Sequence, residues 1–174
     1  MVWVLYHEKS EKTNGEYGGN EGEENNMKIA LASDHAGFDL KKAVAEYLAA
    51  KGIEYVDFGC GPGEKVDYVD FGAKAAQSIV SGKCDRGILV CGTGIGMGIV
   101  ANKFKGIRAA PCWNEYTVEM SRLHNDSNCL TMGGRVLSPE EALRIVRVFL
   151  ETTFEGGRHA RRVDKIRRIE EECS

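Results

Sequence analysis

The sequence predicts a single α/β domain: a doubly wound, Rossmann-like fold with a five-stranded parallel sheet and helices on both faces. Three observations lead there. From Met27 onward, short apolar strand-like segments alternate with segments of helical period. That alternation implies a parallel sheet reached by right-handed crossovers, with a helix in each connection. One strand, Gly87-Ile88-Leu89-Val90-Cys91, is apolar almost throughout, as a central parallel strand covered on both faces should be.

The elements follow in order. Strand 28–33 (Lys-Ile-Ala-Leu-Ala-Ser) opens the domain, and Ser33-Asp34-His35-Ala36-Gly37 leads into a helix over 38–51. Strand 53–58 precedes a helix over 70–82. Strand 87–91 runs into a glycine-rich turn and a helix over 96–104. Strand 107–112 is followed by a helix over 114–124, and strand 128–132 by a helix over 138–151. After Gly156-Gly157 comes a last helix, 159–172, charged on most faces with Val163, Ile166 and Ile169 as its few apolar anchors. Such a helix is expected to pack on a partner subunit. Residues 1–26 differ: six glutamates sit among Gly, Asn and Lys, the composition of a disordered extension. The domain is therefore set at 27–174, and the extension is given no catalytic role.

Length and composition exclude several classes. At 174 residues, with 43% apolar and 28% charged residues, one domain can bury a sufficient core without staples. A net charge of −3 argues against a nucleic-acid or anionic-membrane partner. No apolar run could span a bilayer. The run Val2–Tyr6 is too short for a signal-peptide core, so a cytoplasmic location is expected. Six cysteines, at 60, 84, 91, 112, 129 and 173, form no C-x-x-C pair and have no histidine at finger spacing. Neither a metal site nor a disulfide framework is expected.

In open parallel sheets, ligands bind at the carboxyl ends of the strands. Asp34-His35 follows the first strand, Cys91-Gly-Thr-Gly-Ile-Gly-Met-Gly98 the third, and Gly133-Gly134-Arg135 the fifth. His124 and Asn125, which end the helix after the fourth strand, are placed with them. Gly92, Gly94, Gly96 and Gly98 alternate between a strand and a helix, where backbone can approach an anion closely. Tight helix packing is the other use of such glycines. A dinucleotide loop fails, because the third glycine of G-x-G-x-x-G falls on Met97 or Ile99. Cys91 opens the loop at a helix N-terminus, an environment that favours thiolate; a buried apolar thiol is the alternative. Asp34 could equally cap the following helix. Arg158 and Arg162 share one helix face and could clamp a phosphate, or form a solvated basic face beside Glu170 to Glu172.

Taken together, the motifs resemble the type B ribose-5-phosphate isomerases, grouped with the bacterial galactose-6-phosphate isomerases. The matching stretches are Ser-Asp-His-Ala-Gly (33–37), Val-Asp-Tyr (66–68), Cys-Gly-Thr-Gly-Ile-Gly (91–96), Ala-Asn-Lys (101–103) and Gly-Ile-Arg-Ala (106–109). Ser-Arg-Leu-His-Asn-Asp (121–126), Gly-Gly-Arg (133–135) and Glu-Gly-Gly-Arg-His-Ala-Arg-Arg-Val (155–163) continue it. The resemblance covers 27 to about 171. It implies an aldose–ketose isomerase working through a cis-enediolate without cofactor or metal. Cys91 would move the proton between C1 and C2. Thr93 and His124 would assist ring opening, with Asp34 near the ring oxygen. The amides of Gly92, Gly94 and Gly96 would cradle the enediolate. Asn102, Asn125 and Tyr68 would contact the sugar. His35, Arg135, Arg158 and Arg162, with His159 beside them, would hold the phosphate. The site would lie between two subunits of a homodimer, or a dimer of dimers. Val69 stands where the family often has proline. Other readings are a different sugar phosphate (galactose 6-phosphate, allose 6-phosphate or a tetrose phosphate), a catalytically silent phosphosugar-binding module, and a nucleotide-dependent oxidoreductase.

Overall fold

Strand and helix alternate through the chain as the sequence predicts. The computed structural model describes residues 27–173, so the expected extension at 1–26 lies outside the described residues. The elements are β1 (Lys28–Ser33), α1 (Phe38–Ala50), β2 (Glu54–Asp57), α2 (Tyr68–Val80), β3 (Arg86–Cys91) and α3 (Ile95–Ala101). They continue with β4 (Ala109–Pro111), α4 (Glu115–Asn125), β5 (Cys129–Gly133), α5 (Pro139–Glu151) and α6 (Arg158–Glu172). All four strand pairings are parallel, in the order β2-β1-β3-β5-β4.

Period-two alternation divides the core. Ile29, Leu31, Ile88, Val90, Leu130 and Met132 face one side, with Leu40, Val44 and Leu48 of α1, Val118 of α4, and Ile145 and Phe149 of α5. Each such buried side chain contributes roughly 1.5–3 kcal/mol. Ala30, Ala32, Leu89, Cys91 and Cys129 face the other side, with Ala75 and Ala76 of α2 and Met97 and Ala101 of α3. Small residues let α2 and α3 lie close: a Cβ on Gly72 would stand 2.9 Å from Met97 Sδ.

α1 leads outward from β1 to β2, and α2 crosses back to β3. The carboxyl ends of β1 and β3 therefore adjoin where the chain departs in opposite directions, the crevice in which open α/β sheets bind ligands. The register brings Ser33 level with Val90, and Cys91 level with Gly133.

Element ends depart from the sequence expectation where side chains cap them. α2 starts at Tyr68 rather than near 70, because Asp67 Oδ1 accepts from Val69 N at 3.1 Å. α3 stops at Ala101 because Asn102 turns back: its Nδ2 donates to Ala109 O at 3.0 Å and its Oδ1 accepts from Ala109 N at 2.8 Å. The amide thus covers part of the exposed edge of β4, which is shorter than the expected 107–112. α5 opens with a capping box between Ser138 and Glu141. α6 packs its first turns on α4 of its own chain through buried His159 and Val163, while Ile166 and Ile169 stay 40% and 59% exposed. No helix among the described residues is long and apolar enough to cross a membrane.

Candidate active site

At the carboxyl edge three loops converge. Cys91 ends β3, is 5% exposed, and accepts a hydrogen bond on Sγ from Gly94 N at 3.2 Å. Gly94 makes this possible: its φ is 81°, and a Cβ would stand 2.8 Å from the Met132 carbonyl carbon on β5. Ile95 N is occupied by Thr93 Oγ1 at 3.3 Å. Gly96 and Met97 belong to the unpaired first turn of α3, where N–H groups lack intrahelical acceptors. Tyr68, 37% exposed, lays its ring over Gly96, where a Cβ would stand 2.7 Å from Cε2.

The loop after β5 joins the loop after β3, with Gly134 N donating to Cys91 O at 2.8 Å and Arg135 N to Gly92 O at 3.1 Å. The Arg135 guanidinium lies over Gly92, Nη1 being 3.5 Å from the site of a Cβ there. Asp34, buried, accepts from Ala36 N and Gly37 N at 2.9 and 3.0 Å, both on Oδ1. It therefore ties the turn before α1, and Oδ2 takes no hydrogen bond among the described residues. His35 is exposed, with Nδ1 3.3 Å from Val66 O. Asp34, His35, Tyr68, Cys91, Gly92, Thr93, Gly94, Gly96 and Arg135 are thus gathered on one edge.

The remaining expected site residues are elsewhere, which corrects the sequence placement of His124 and Asn125. α4 starts at the carboxyl edge and runs back along the sheet, so His124 and Asn125 end up beside the start of β5. Cys129 there is level with Gly87, at the start of β3. Four strand residues, roughly 13 Å, separate that level from Cys91. At this amino edge His124 and His159 stack with centroids 4.1 Å apart and planes within 3°. Glu155 Oε2 lies 3.7 Å from His124 Nε2 and 3.8 Å from His159 Nε2. Arg158 Nε donates to His159 Nε2 at 3.1 Å. Burial, the His124 ring and the two arginines push the His159 pKa below its ordinary value, against Glu155. Asn102 and Asn125 line a nearby groove of about 390 Å³ with Arg108 and Ile166. Arg162 is one turn beyond Arg158 on exposed α6.

His124, Glu155 and His159 place one ligand atom each within 4.8 Å of one another, a donor set that zinc accepts. The Arg158 guanidinium already occupies His159 Nε2, and that fixed positive charge suits an anion better than a cation. As for the other thiols, burial pushes Cys129 up to about 12 and raises Cys112. Both behave as core residues.

A family model described as Ribose/Galactose Isomerase matches residues 29–166. The chain belongs to that family. Among ribose/galactose isomerases it is similar to the ribose-5-phosphate isomerase B of Escherichia coli, 44% identical over 83% of this chain and 97% of the relative. It also resembles the D-erythrulose-4-phosphate isomerase of Pectobacterium atrosepticum, 43% identical over 80% of this chain and 93% of the relative. The solved ribose-5-phosphate isomerase B of Clostridium thermocellum superposes with a TM-score of 0.84 at 53% identity, covering 85% of this chain and all of that one. The activity class is thus that of a sugar-phosphate aldose–ketose isomerase.

Sequence reasoning did not single out Lys41, buried in α1 beside the end of β2. Its Nζ meets Asp57 Oδ2 at 2.7 Å and Cys60 O at 3.1 Å, fixing the start of the loop that carries Val66 and Tyr68. A lysine among apolar positions of α1 carries no local sign of this, since its acceptors come from the end of β2. Arg108 and Asp126, beside His124 and Asn125 at the amino edge, stand out in the sequence only as letters of the family motifs.

Proposed function

We propose that this isomerase interconverts ribose 5-phosphate and ribulose 5-phosphate at sites shared between two subunits, with Cys91 as the base. The observation that carries the reading is the thiol of Cys91, held at the end of β3 under the Gly94 N–H, on the same edge as Asp34, Tyr68 and Arg135 and away from His124. A pentose phosphate is too short to bridge from Cys91 to His124 of the same chain. A second copy across a two-fold axis supplies the missing half. The carboxyl edge supports such a cover: Val69, Ile95, Ile99, Trp113 and Tyr116 are 42–69% exposed around the Cys91 half.

Arg158 and Arg162 of one subunit take the phosphate with His159 beside them, while His35 and Arg135 face it from the other. Anchoring the phosphate fixes the sugar over Cys91, where positioning gains rate. His124 and Thr93 relay the O1 proton while the ring oxygen, near Asp34, is protonated; the C1–O4 bond breaks and an aldehyde forms. The Cys91 thiolate then takes the C2 proton, and the electron pair moves onto O1. The free first-turn amides of α3, with Gly92, face the developing enediolate. The O2 proton passes to O1, Cys91 returns its proton to C1, C2=O2 forms, and the ketose is complete. Asn102, Asn125 and Tyr68 contact the hydroxyls.

Mixing inactive Cys91→Ala and His124→Ala chains tests the shared site. Random re-assortment should recover about a quarter of wild-type activity, because each mixed dimer regenerates one intact site. Absence of any recovery in confirmed mixed dimers would place both residues in one chain's site. A tetrose phosphate is the second reading, favoured by the likeness to the erythrulose-phosphate enzyme. Comparison of kcat/KM on the two aldose phosphates decides between them.

A further inference from the structure

Directly after His124 and Asn125 the backbone adopts a conformation that its residue disfavours. Asp126 sits at φ 46°, ψ 46°, the only non-glycine residue of positive φ among the described residues. Its N–H and that of Ser127 close α4 onto Arg122 O and Ser121 O at 3.2 and 3.0 Å. Glycine normally takes the left-handed position in such a termination. Strain of this kind persists where the surroundings over-determine it, and it gathers at functional sites.

The surroundings here are two guanidinium groups. Arg108 Nε lies 3.1 Å from Asn125 O and 2.9 Å from Asp126 O, and its Nη2 lies 2.7 Å from Asp126 O and 3.0 Å from Asp126 Oδ2. Arg122 Nη1 reaches the other carboxylate oxygen, Oδ1, at 2.9 Å and Ser127 O at 2.6 Å. The side chains of Arg108 and Arg122 are only 13% and 5% exposed. Burial lowers the Arg108 pKa from its ordinary value, and Asp126 opposes the shift. Leu123 O accepts from Glu155 N at 3.1 Å, so the segment that brings Glu155 to the histidines hangs from the same corner.

We infer that Arg108 and Asp126 are positioning residues for the isomerase reaction: Arg108, held by the Asp126 carboxylate, grips the Asn125 carbonyl and so sets the His124 ring, stacked on His159, at the angle the shared site requires. The inference rests on the roles proposed above for His124 and Asn125. Closing the helix needs only a residue tolerant of positive φ. The grip on Asn125 O is additional, and it comes from a residue outside α4 at the entry to β4. Arg108 forms a rigid fork that lysine does not reproduce.

The test uses the full chain with Arg108→Lys, Asp126→Gly and Asp126→Asn. Glycine relieves the φ strain but removes the carboxylate. Asparagine accepts the left-handed conformation and keeps one acceptor oxygen. Two readouts are taken well below the melting temperature: kcat and KM on ribose 5-phosphate, and the NMR shifts of the histidine ring protons, which report the stacked pair. Arg108→Lys and Asp126→Gly should lower kcat about 10- to 100-fold while KM, set by the phosphate contacts, moves less than about threefold. Both should move the His124 ring resonances, and Asp126→Asn should return kcat and resonances towards wild type. A lowered melting temperature with unchanged kcat and resonances would show a merely structural pair and overturn the inference. If Arg108→Lys does not fold, the two Asp126 variants decide. If wild-type protein turns over no sugar phosphate, the functional reading fails, and the ring resonances still decide the positioning.

Discussion

Gly96→Ala separates the packing of the site from the stability of the fold. Gly96 lies in α3, where alanine is accepted and favoured over glycine by about 1 kcal/mol. The new Cβ would stand 2.7 Å from Tyr68 Cε2, 2.9 Å from Cζ and 3.2 Å from Cδ2. Carbon atoms prefer about 3.5–4.0 Å, so the ring must retreat by roughly 1 Å. Tyr68 is 37% exposed and free to swing outward; holding it off a rotamer well costs about 0.5–1.5 kcal/mol. The two terms nearly cancel, and the melting temperature should stay within about 4 °C of wild type. Turnover should not be spared, because a misplacement near 1 Å at a substrate contact can cost up to about 100-fold. The assay is ribulose 5-phosphate formation, followed through the ketose carbonyl, in wild type, Gly96→Ala, Tyr68→Ala and the double variant. If alanine acts through the ring, Tyr68→Ala and the double variant will have equal kcat/KM. Wild-type kcat/KM in Gly96→Ala, with the ring displaced in its crystal structure, would remove Tyr68 from the site. A fall of many degrees in melting temperature would refute the packing estimate.

Cys91→Ala should abolish turnover while leaving sugar-phosphate binding measurable by calorimetry, since only the base is lost; normal turnover would remove Cys91 from its role. Arg158→Ala and Arg162→Ala should raise KM for phosphorylated substrate by at least about tenfold with a smaller effect on kcat, because charge-assisted contacts to phosphate are lost. An unchanged KM would refute the clamp. His159, whose pKa is lowered chiefly by burial and then by the His124 charge, stays neutral in the fold below the ordinary value of 6.5 while the unfolded chain takes up a proton. Its contribution is therefore neutral above that pH and destabilising as pH falls below it. Thermal melts in this range should fall less steeply for His159→Gln than for wild type, and parallel curves would contradict the assignment.

Much of this protein is legible in its sequence because the deciding signals are local. Period-two apolar strands, period-3.6 helices and strand-to-helix turns fix a parallel α/β sheet, and each strand and helix was found within a few residues of its expected place. The glycines after β3 leave two uses open in the sequence, close approach of an anion and tight packing; at Gly94 the structure shows the packing, in its φ of 81° and the backbone of Met132 on β5. Boundaries were displaced where a single side chain decides them, as Asp67 does for α2 and Asn102 for α3.

The position of His124 in the fold was not legible. His124 follows the fourth strand by one helix, and only the direction of α4 across the sheet shows that it ends at the opposite edge from Cys91. Lys41 and Arg108 carry no local mark either, because their partners are brought to them by the crossovers. The sequence by itself determined the fold class, the family motifs and the chemical character of each site residue, since these depend on residue type and short-range spacing. Only the tertiary structure decided which of those residues share an edge and which lie at the opposite one. Long-range placement is set by strand order and helix direction, and no short stretch of sequence encodes them.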